Sequence, residues 1–282
     1  MNYLFPLESK EVLLQELEAI RRWEKDQKDL WFWEKIGRLP FVLLDKLIPK
    51  KVQEMLGKLL DELGSYIQTG GQYLINDQET LNRVSKAAGI KNGSLSLEEV
   101  AHVPLSVLNK VAEETKEHHK QIATMQGATT GFGGIFTLAI DIPALVGISL
   151  RVLQEMALIY GYQPREKKER IFIVKCLQFA SSDFVGKKTI LEQLAETDSG
   201  KVQREAISEF QGWREVIINY GDNYGWKKLF QLVPVIGIVF GAIINRFTIE
   251  EVAEAGMMLY RKRRIMEKLK IIAPGYSKDF FT

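Results

Sequence analysis

The run GATTGFGGIFTLAIDIPALVGISL (Gly127–Leu150) contains a single charged residue, Asp141. Its reading decides whether the chain crosses a membrane or folds as a helical protein around its own core. As one helix it would be roughly 36 Å long at ~1.5 Å per residue, enough for a hydrocarbon layer of ~30 Å. Asp141-Ile142-Pro143 argues against simple spanning. Pro143 removes a backbone donor and Asp141 has the chemistry of a helix cap, so the sequence predicts a break there. The pieces on either side, about 14 and about 10 residues long, fall short of the ~20 that a span needs. A second run, LFQLVPVIGIVFGAIIN (Leu229–Asn245), has no charge, lies near the lower limit of ~17, and carries Pro234. The expectation is a glycine-rich apolar helical hairpin, buried in protein, with insertion into lipid as the alternative.

The glycines fit close packing in either solvent. Gly127 and Gly131 are four apart, as are Gly237 and Gly241. Such pairs share one helix face and let a neighbouring backbone approach. A glycine inside a helix costs about 1 kcal/mol relative to alanine, so these positions call for a packing reason. Pro143 and Asn245 complete the set expected to position the two helices.

Outward from this centre the period stays helical. Val12, Leu13, Leu17 and Ile20 recur at three- and four-residue steps, and a second helix is predicted over about Lys50–Leu74, frayed by Gly70-Gly71. Ser96 with Glu99 forms a capping box, and Pro104 suits the start of a helix running toward Gln126. Thr248 with Glu251 is a second capping box, expected to open a C-terminal helix ending near Ala273-Pro274-Gly275. IFIVKCLQF (Ile171–Phe179) is the best strand candidate, yet it lies within a longer helical pattern from Glu166 to Glu196. The chain is therefore expected to be all-α. Its predicted divisions are an N-terminal helical arm (1–29), one compact multi-helix domain (30–273) and a short tail (274–282).

Composition excludes more than it assigns. With 46% hydrophobic and 26% charged residues, wholesale disorder is ruled out. A net charge of +2 is too balanced for a nucleic-acid binder. One cysteine, Cys176, permits no internal disulfide and fits a reducing compartment. The N-terminus lacks the pattern of a secretory signal, so the expected location is the cytoplasm.

The two apolar runs also carry a family likeness. GATTGFGGIFTLAIDIPALVGISLRVLQEMALIYGY (Gly127–Tyr162) resembles the central motif of the EcsC protein family, through Asp141, Pro143, Arg151, Glu155, Gly161 and Tyr162. PVIGIVFGAIINRFTIEEVAEAGMMLYRKRR (Pro234–Arg264) is similar to its C-terminal motif, through Pro234, Gly237, Gly241, Asn245 and the basic end. Pro164, Glu169 and Phe172 also fall where that family has such residues, and the likeness extends from about Trp31 to Arg264. The resemblance implies association with a bacterial ABC transporter. It implies no particular reaction.

Candidates for chemistry are few. Arg151 and Glu155 are one helical turn apart and can pair, and Asp141 is expected to join them in a polar cluster at the mouth of the hairpin. Such a cluster either caps and pairs two packed helices or handles protons or a head group, and only the second use makes these three residues catalytic. His118-His119 is expected on a solvated helix face, since no second ligand pair accompanies Glu114 and His118 and no His-Glu-x-x-His is present. Cys176 is expected to be a small buried hydrophobe. Gly186–Thr189 is too incomplete for a phosphate loop, and Gly131–Gly134 for a dinucleotide fingerprint. No metal and no cofactor are expected.

Surface signals point to lipid. Leu30–Lys51 places Trp31, Phe32, Trp33 and Phe41 among Lys35, Arg38, Lys46, Lys50 and Lys51, the pattern of an interfacial helix. Arg261, Lys262, Arg263 and Arg264 form a basic stripe that could attract an anionic leaflet. The expected function is that of a peripheral membrane or accessory protein beside an ABC-type transport or secretion system. The expected partners are an anionic membrane surface at the inner face and a transporter or other membrane protein, with no nucleic acid. The alternatives are a hydrolase or lipid-modifying enzyme using Asp141 and Glu155, and a self-associating helical scaffold. Oligomeric state stays open.

Overall fold

The centre of the molecule is the C-terminal helix, because its apolar stripe meets four others. The computed structural model describes residues 8–27, 61–70, 75–91, 93–130, 135–181 and 245–272, with scattered positions between them. It gives backbone alone for 126–130, 135–144 and 245. Within these residues the helices are α1 (Lys10–Asp26), α2 (Asp77–Ala87), α3 (Leu97–Val100), α4 (Leu105–Thr130), α5 (Ile135–Ile159), α6 (Lys167–Ser181) and α7 (Asn245–Ile272). Residues 61–69 are helical as well, and none of the described residues forms a strand.

Local signals explain most boundaries. Ser9 caps α1 by accepting from Val12 N–H, and Asn76 does the same for α2 through Gln78 N–H. The Ser96–Glu99 capping box forms as expected, each side chain bonding the other's backbone N–H. Gly70, at φ +84°, ends the helical stretch 61–69. Gly161, at φ +79°, closes α5: Tyr162 N–H reaches Ala157 O at 2.8 Å and Gly161 N–H reaches Leu158 O at 3.0 Å.

Two predicted boundaries need correction. α5 runs unbroken through Asp141 and Pro143, where a break was expected. Proline removes one backbone bond without ending a helix that packing holds on the far side. Here Leu145, Val146, Leu150, Leu153, Met156 and Ile159 are all fully buried, each contributing about 1.5–3 kcal/mol by burial. The C-terminal helix also starts by Asn245, before the Thr248 capping box, and Thr248 is a buried interior position. Ile171–Phe179 is helical and buried on every side, which is why its apolar residues mimic a strand.

Side-chain bridges fix the directions. Glu8 bonds Leu105 N–H and Lys268 Nζ, Glu16 pairs with Arg261, and Trp23 Nε1 donates to Glu254 at 2.9 Å. Thus α1 and α4 run parallel, and both oppose α7. Lys120 meets Glu250 at 2.8 Å, confirming the α4–α7 register. α6 also opposes α7, through Glu169 with Tyr260 and Arg263. α5 runs alongside α7 in the same direction: Gly256 faces Leu153, and Arg264 Nε donates to Tyr160 O at 2.8 Å. A Cβ on Gly256 would lie only 2.5 Å from Leu153 Cδ2, so this glycine sets the α5–α7 approach. Of the glycines expected in that role, Gly127 lies at the end of α4, and Gly131, Gly237 and Gly241 fall outside the described residues, as does most of Leu229–Asn245.

Candidate functional site

Helix α5 carries Glu155 to where α4 and α2 cross it. His119 Nε2 lies 3.0 Å from Glu155 Oε1, and Arg83 Nη2 lies 2.5 Å from Oε2. Arg151, one turn back on α5, reaches 3.9 Å. Arg83 also donates to Thr115 Oγ1 at 3.0 Å, and Thr115 in turn donates to Val111 O. A carboxylate can only accept, so His119 presents Nε2–H to it. Among the described residues, its Nδ1, like Arg83 Nε, is buried without a hydrogen-bond partner.

Electrostatics make this carboxylate a poor base. Burial alone would push the Glu155 pKa up, but His119 and Arg83 outweigh burial and hold it below its ordinary 4.5. A general base near neutral pH needs the opposite shift. The Glu155 side chain is 12% exposed and both oxygens are engaged, while Arg83 and Arg151 reach solvent. Asp141 does not share the site. Fourteen residues along one continuous helix put its Cα about 21 Å from that of Glu155, at ~1.5 Å per residue.

His119 corrects the expectation of a solvated histidine pair: His118 is exposed, but His119 is 2% exposed. The residue was legible only as half of a doublet, because its carboxylate partner comes from another helix. Arg83 carried no sequence signal. Among the described residues no group of three or more His, Cys, Asp or Glu side chains could hold a metal ion.

A second polar cluster lies between α6 and α7. Glu169, 1% exposed, receives Arg263 Nη1 at 3.0 and 2.9 Å and Tyr260 Oη at 2.7 Å. Burial pushes its pKa above the ordinary value despite these partners. Arg263 stacks over Tyr162 at 4.0 Å, and Arg264 over the same ring at 4.4 Å. Cys176 is fully buried nearby, and burial raises its thiol pKa. Arg261 pairs with Glu16, Lys262 with Glu24 at 2.7 Å, and Arg264 with Glu267 at 2.8 Å. The basic stripe therefore engages carboxylates of the protein itself, and Arg264 is 7% exposed. Trp31 and Trp33 fall outside the described residues.

A cavity of about 250 Å³ opens between α1, α6 and α7, with Trp23, Phe179, Phe247 and Lys187 on its walls. Burial lowers the Lys187 pKa against the pull of Glu251 and Glu254, and its Nζ donates to Gln27 at 2.8 Å. Glu250, Glu251 and Glu254 also line it; Glu250 pairs with Lys120, and Glu254 accepts from Trp23.

The described residues thus form an all-helical bundle with a polar cluster on α5 and a long C-terminal helix, α7. The chain belongs to the EcsC protein family, which matches residues 14–265. Among its relatives is "Uncharacterized protein YdbA" of Bacillus subtilis (strain 168), 54% identical over 265 residues, covering 94% of this chain and 97% of the relative. "Protein EcsC" of the same organism is 29% identical over 163 residues, covering 58% of this chain and 66% of that protein. No solved structure matches.

Proposed function

We propose that the chain is a non-catalytic accessory protein working at the inner face of a membrane, beside an ABC-type transport or secretion system. The observation that carries the first part is the state of Glu155: its oxygens are taken by His119 and Arg83, and its proton affinity is lowered. A hydrolase or lipid-modifying site built on Asp141 and Glu155 lacks its second carboxylate, because α5 is continuous between them. Membrane contact is supported by the aromatic and basic stretch Leu30–Lys51 and by the two apolar runs. The internal pairing of Arg261–Arg264 shifts that role away from the basic stripe. Among the described residues no helix is long and apolar enough to cross a membrane.

Flotation tests the reading. The full chain is mixed with phosphatidylcholine vesicles, with and without phosphatidylglycerol, and centrifuged through a density gradient. Co-flotation with the anionic vesicles, reduced by salt because charge attraction is screened beyond ~10 Å at 0.1 M, is the expected result. A chain that stays at the bottom with both vesicle types at low salt contradicts it.

A further inference from the structure

The described helices are not symmetric end to end. The directions fixed above bring the ends of α1 (Asp26), α4 (Thr130) and α6 (Ser181) to one pole of the bundle, together with the starts of α5 (Ile135) and α7 (Asn245). From these termini the chain continues into its most lipid-compatible sequence. Asp26 leads toward the aromatic and basic stretch Leu30–Lys51, and Thr130 and Ile135 lie within the apolar run Gly127–Leu150. Asn245 closes the uncharged run Leu229–Asn245. The opposite pole holds the Gly161 turn, α3 and the end of α7, linked by described loops rich in hydrogen bonds.

We infer that the pole formed by Asp26, Thr130, Ile135, Ser181 and Asn245 is the face that meets the lipid surface, an anionic bilayer. This rests on the membrane reading proposed above and adds an orientation to it. The described helix ends next to three stretches of apolar or aromatic–basic sequence lie at the same end of a bundle whose flanks are closed by ion pairs. Met125, 72% exposed, and Phe247, 49% exposed, stand at this pole, with Arg246 exposed beside Phe247. Exposed apolar side chains alone do not choose the pole, since Val12 and Ile271 are exposed at the other end. The chain leaving the helix ends does. Exposed apolar side chains with an exposed arginine beside them suit a surface that offers acyl chains below a layer of phosphates.

The test uses environment-sensitive labels on the full chain. Cys176 is buried, so a single introduced cysteine can be labelled without removing it. Met125→Cys and Phe247→Cys report this pole; Ile271→Cys, a matched exposed apolar site, and Glu98→Cys report the other. On adding phosphatidylglycerol-containing vesicles, nitrobenzoxadiazole at 125 and 247 is expected to shift blue, brighten severalfold and be quenched by nitroxide lipids. The label at 271 and 98 is expected to stay unchanged. If the chain floats with vesicles while 271 and 98 respond instead, or all four respond alike, the orientation is overturned and membrane association stands. If none responds and the chain does not float, both readings fall. Two sites per pole keep the test decisive should one variant fold poorly.

Discussion

The two poles of this bundle are finished in different ways. At one, backbone groups left over by helix ends are met by side chains. Arg264 donates to Tyr160 O and Gly161 O, Arg170 to Ile67 O and Gln68 O, and Lys268 to Val103 O. Glu8 accepts from Leu105 N–H, and Arg165 clasps Asp77. Cations over carbonyl ends and a carboxylate at a helix start are the arrangement that helix dipoles favour. At the other pole the described helices lead into apolar sequence, and the large exposed side chains are Met125 and Phe247. Polar side chains close the backbone ends of the first pole, and the second is the one proposed above to meet lipid.

The largest effect should come from the closed half. Arg263→Ala leaves Glu169, buried and acceptor-only, with the Tyr260 hydroxyl but no cation. A loss of about 3–5 kcal/mol is expected, measured as a shift of the urea midpoint at unchanged slope. A variant within 0.5 kcal/mol of wild type, on the order of an exposed surface change, would break the contrast.

Between the poles, Glu155→Ala removes the acceptor shared by His119 and Arg83. The expected loss is about 1–3 kcal/mol, because a buried donor is left unmet. Arg151→Ala at the same site should cost no more than ~0.5 kcal/mol, since the pair is 3.9 Å apart and the arginine is 59% exposed.

The two glutamates also give opposite dependences on pH. Glu155 titrates below 4.5 when folded, so it contributes stability above that pH and loses it as pH falls through the lowered folded value. Glu169 is raised, so the folded state holds its proton longer and stability falls as pH rises from 4.5 through the raised value. Urea midpoints against pH are expected to lose the acid-side decline in Glu155→Gln and the rise-linked decline in Glu169→Gln. Identical profiles in both variants would remove the distinction.

The sequence made the helices legible because local chemistry sets them: the Ser96–Glu99 box, the periodic face of α1 and the glycine-ended turns. It misjudged Pro143, where packing across α5 outweighs one missing backbone bond. It paired Arg151 with Glu155, because an i,i+4 spacing lies within one element. His119 and Arg83 reach the same carboxylate from α4 and α2, and such a meeting leaves no trace in local spacing. The partners of the basic stripe were hidden for a related reason. Arg261–Arg264 resembles a solvated face until Glu16, Glu24 and Glu169 arrive from other helices.

The smallest expected change in stability belongs to the open pole, where the change in lipid binding is expected to be large. Met125→Glu/Phe247→Glu places two carboxylates where the structure has exposed apolar groups, and Ile271→Glu does the same at the closed pole. Both variants should unfold within about 0.5 kcal/mol of wild type. The measurement is flotation with phosphatidylglycerol-containing vesicles at low salt. Ile271→Glu is expected to float like wild type, and the double variant to lose most of its binding. A double variant that floats as well as wild type would contradict it.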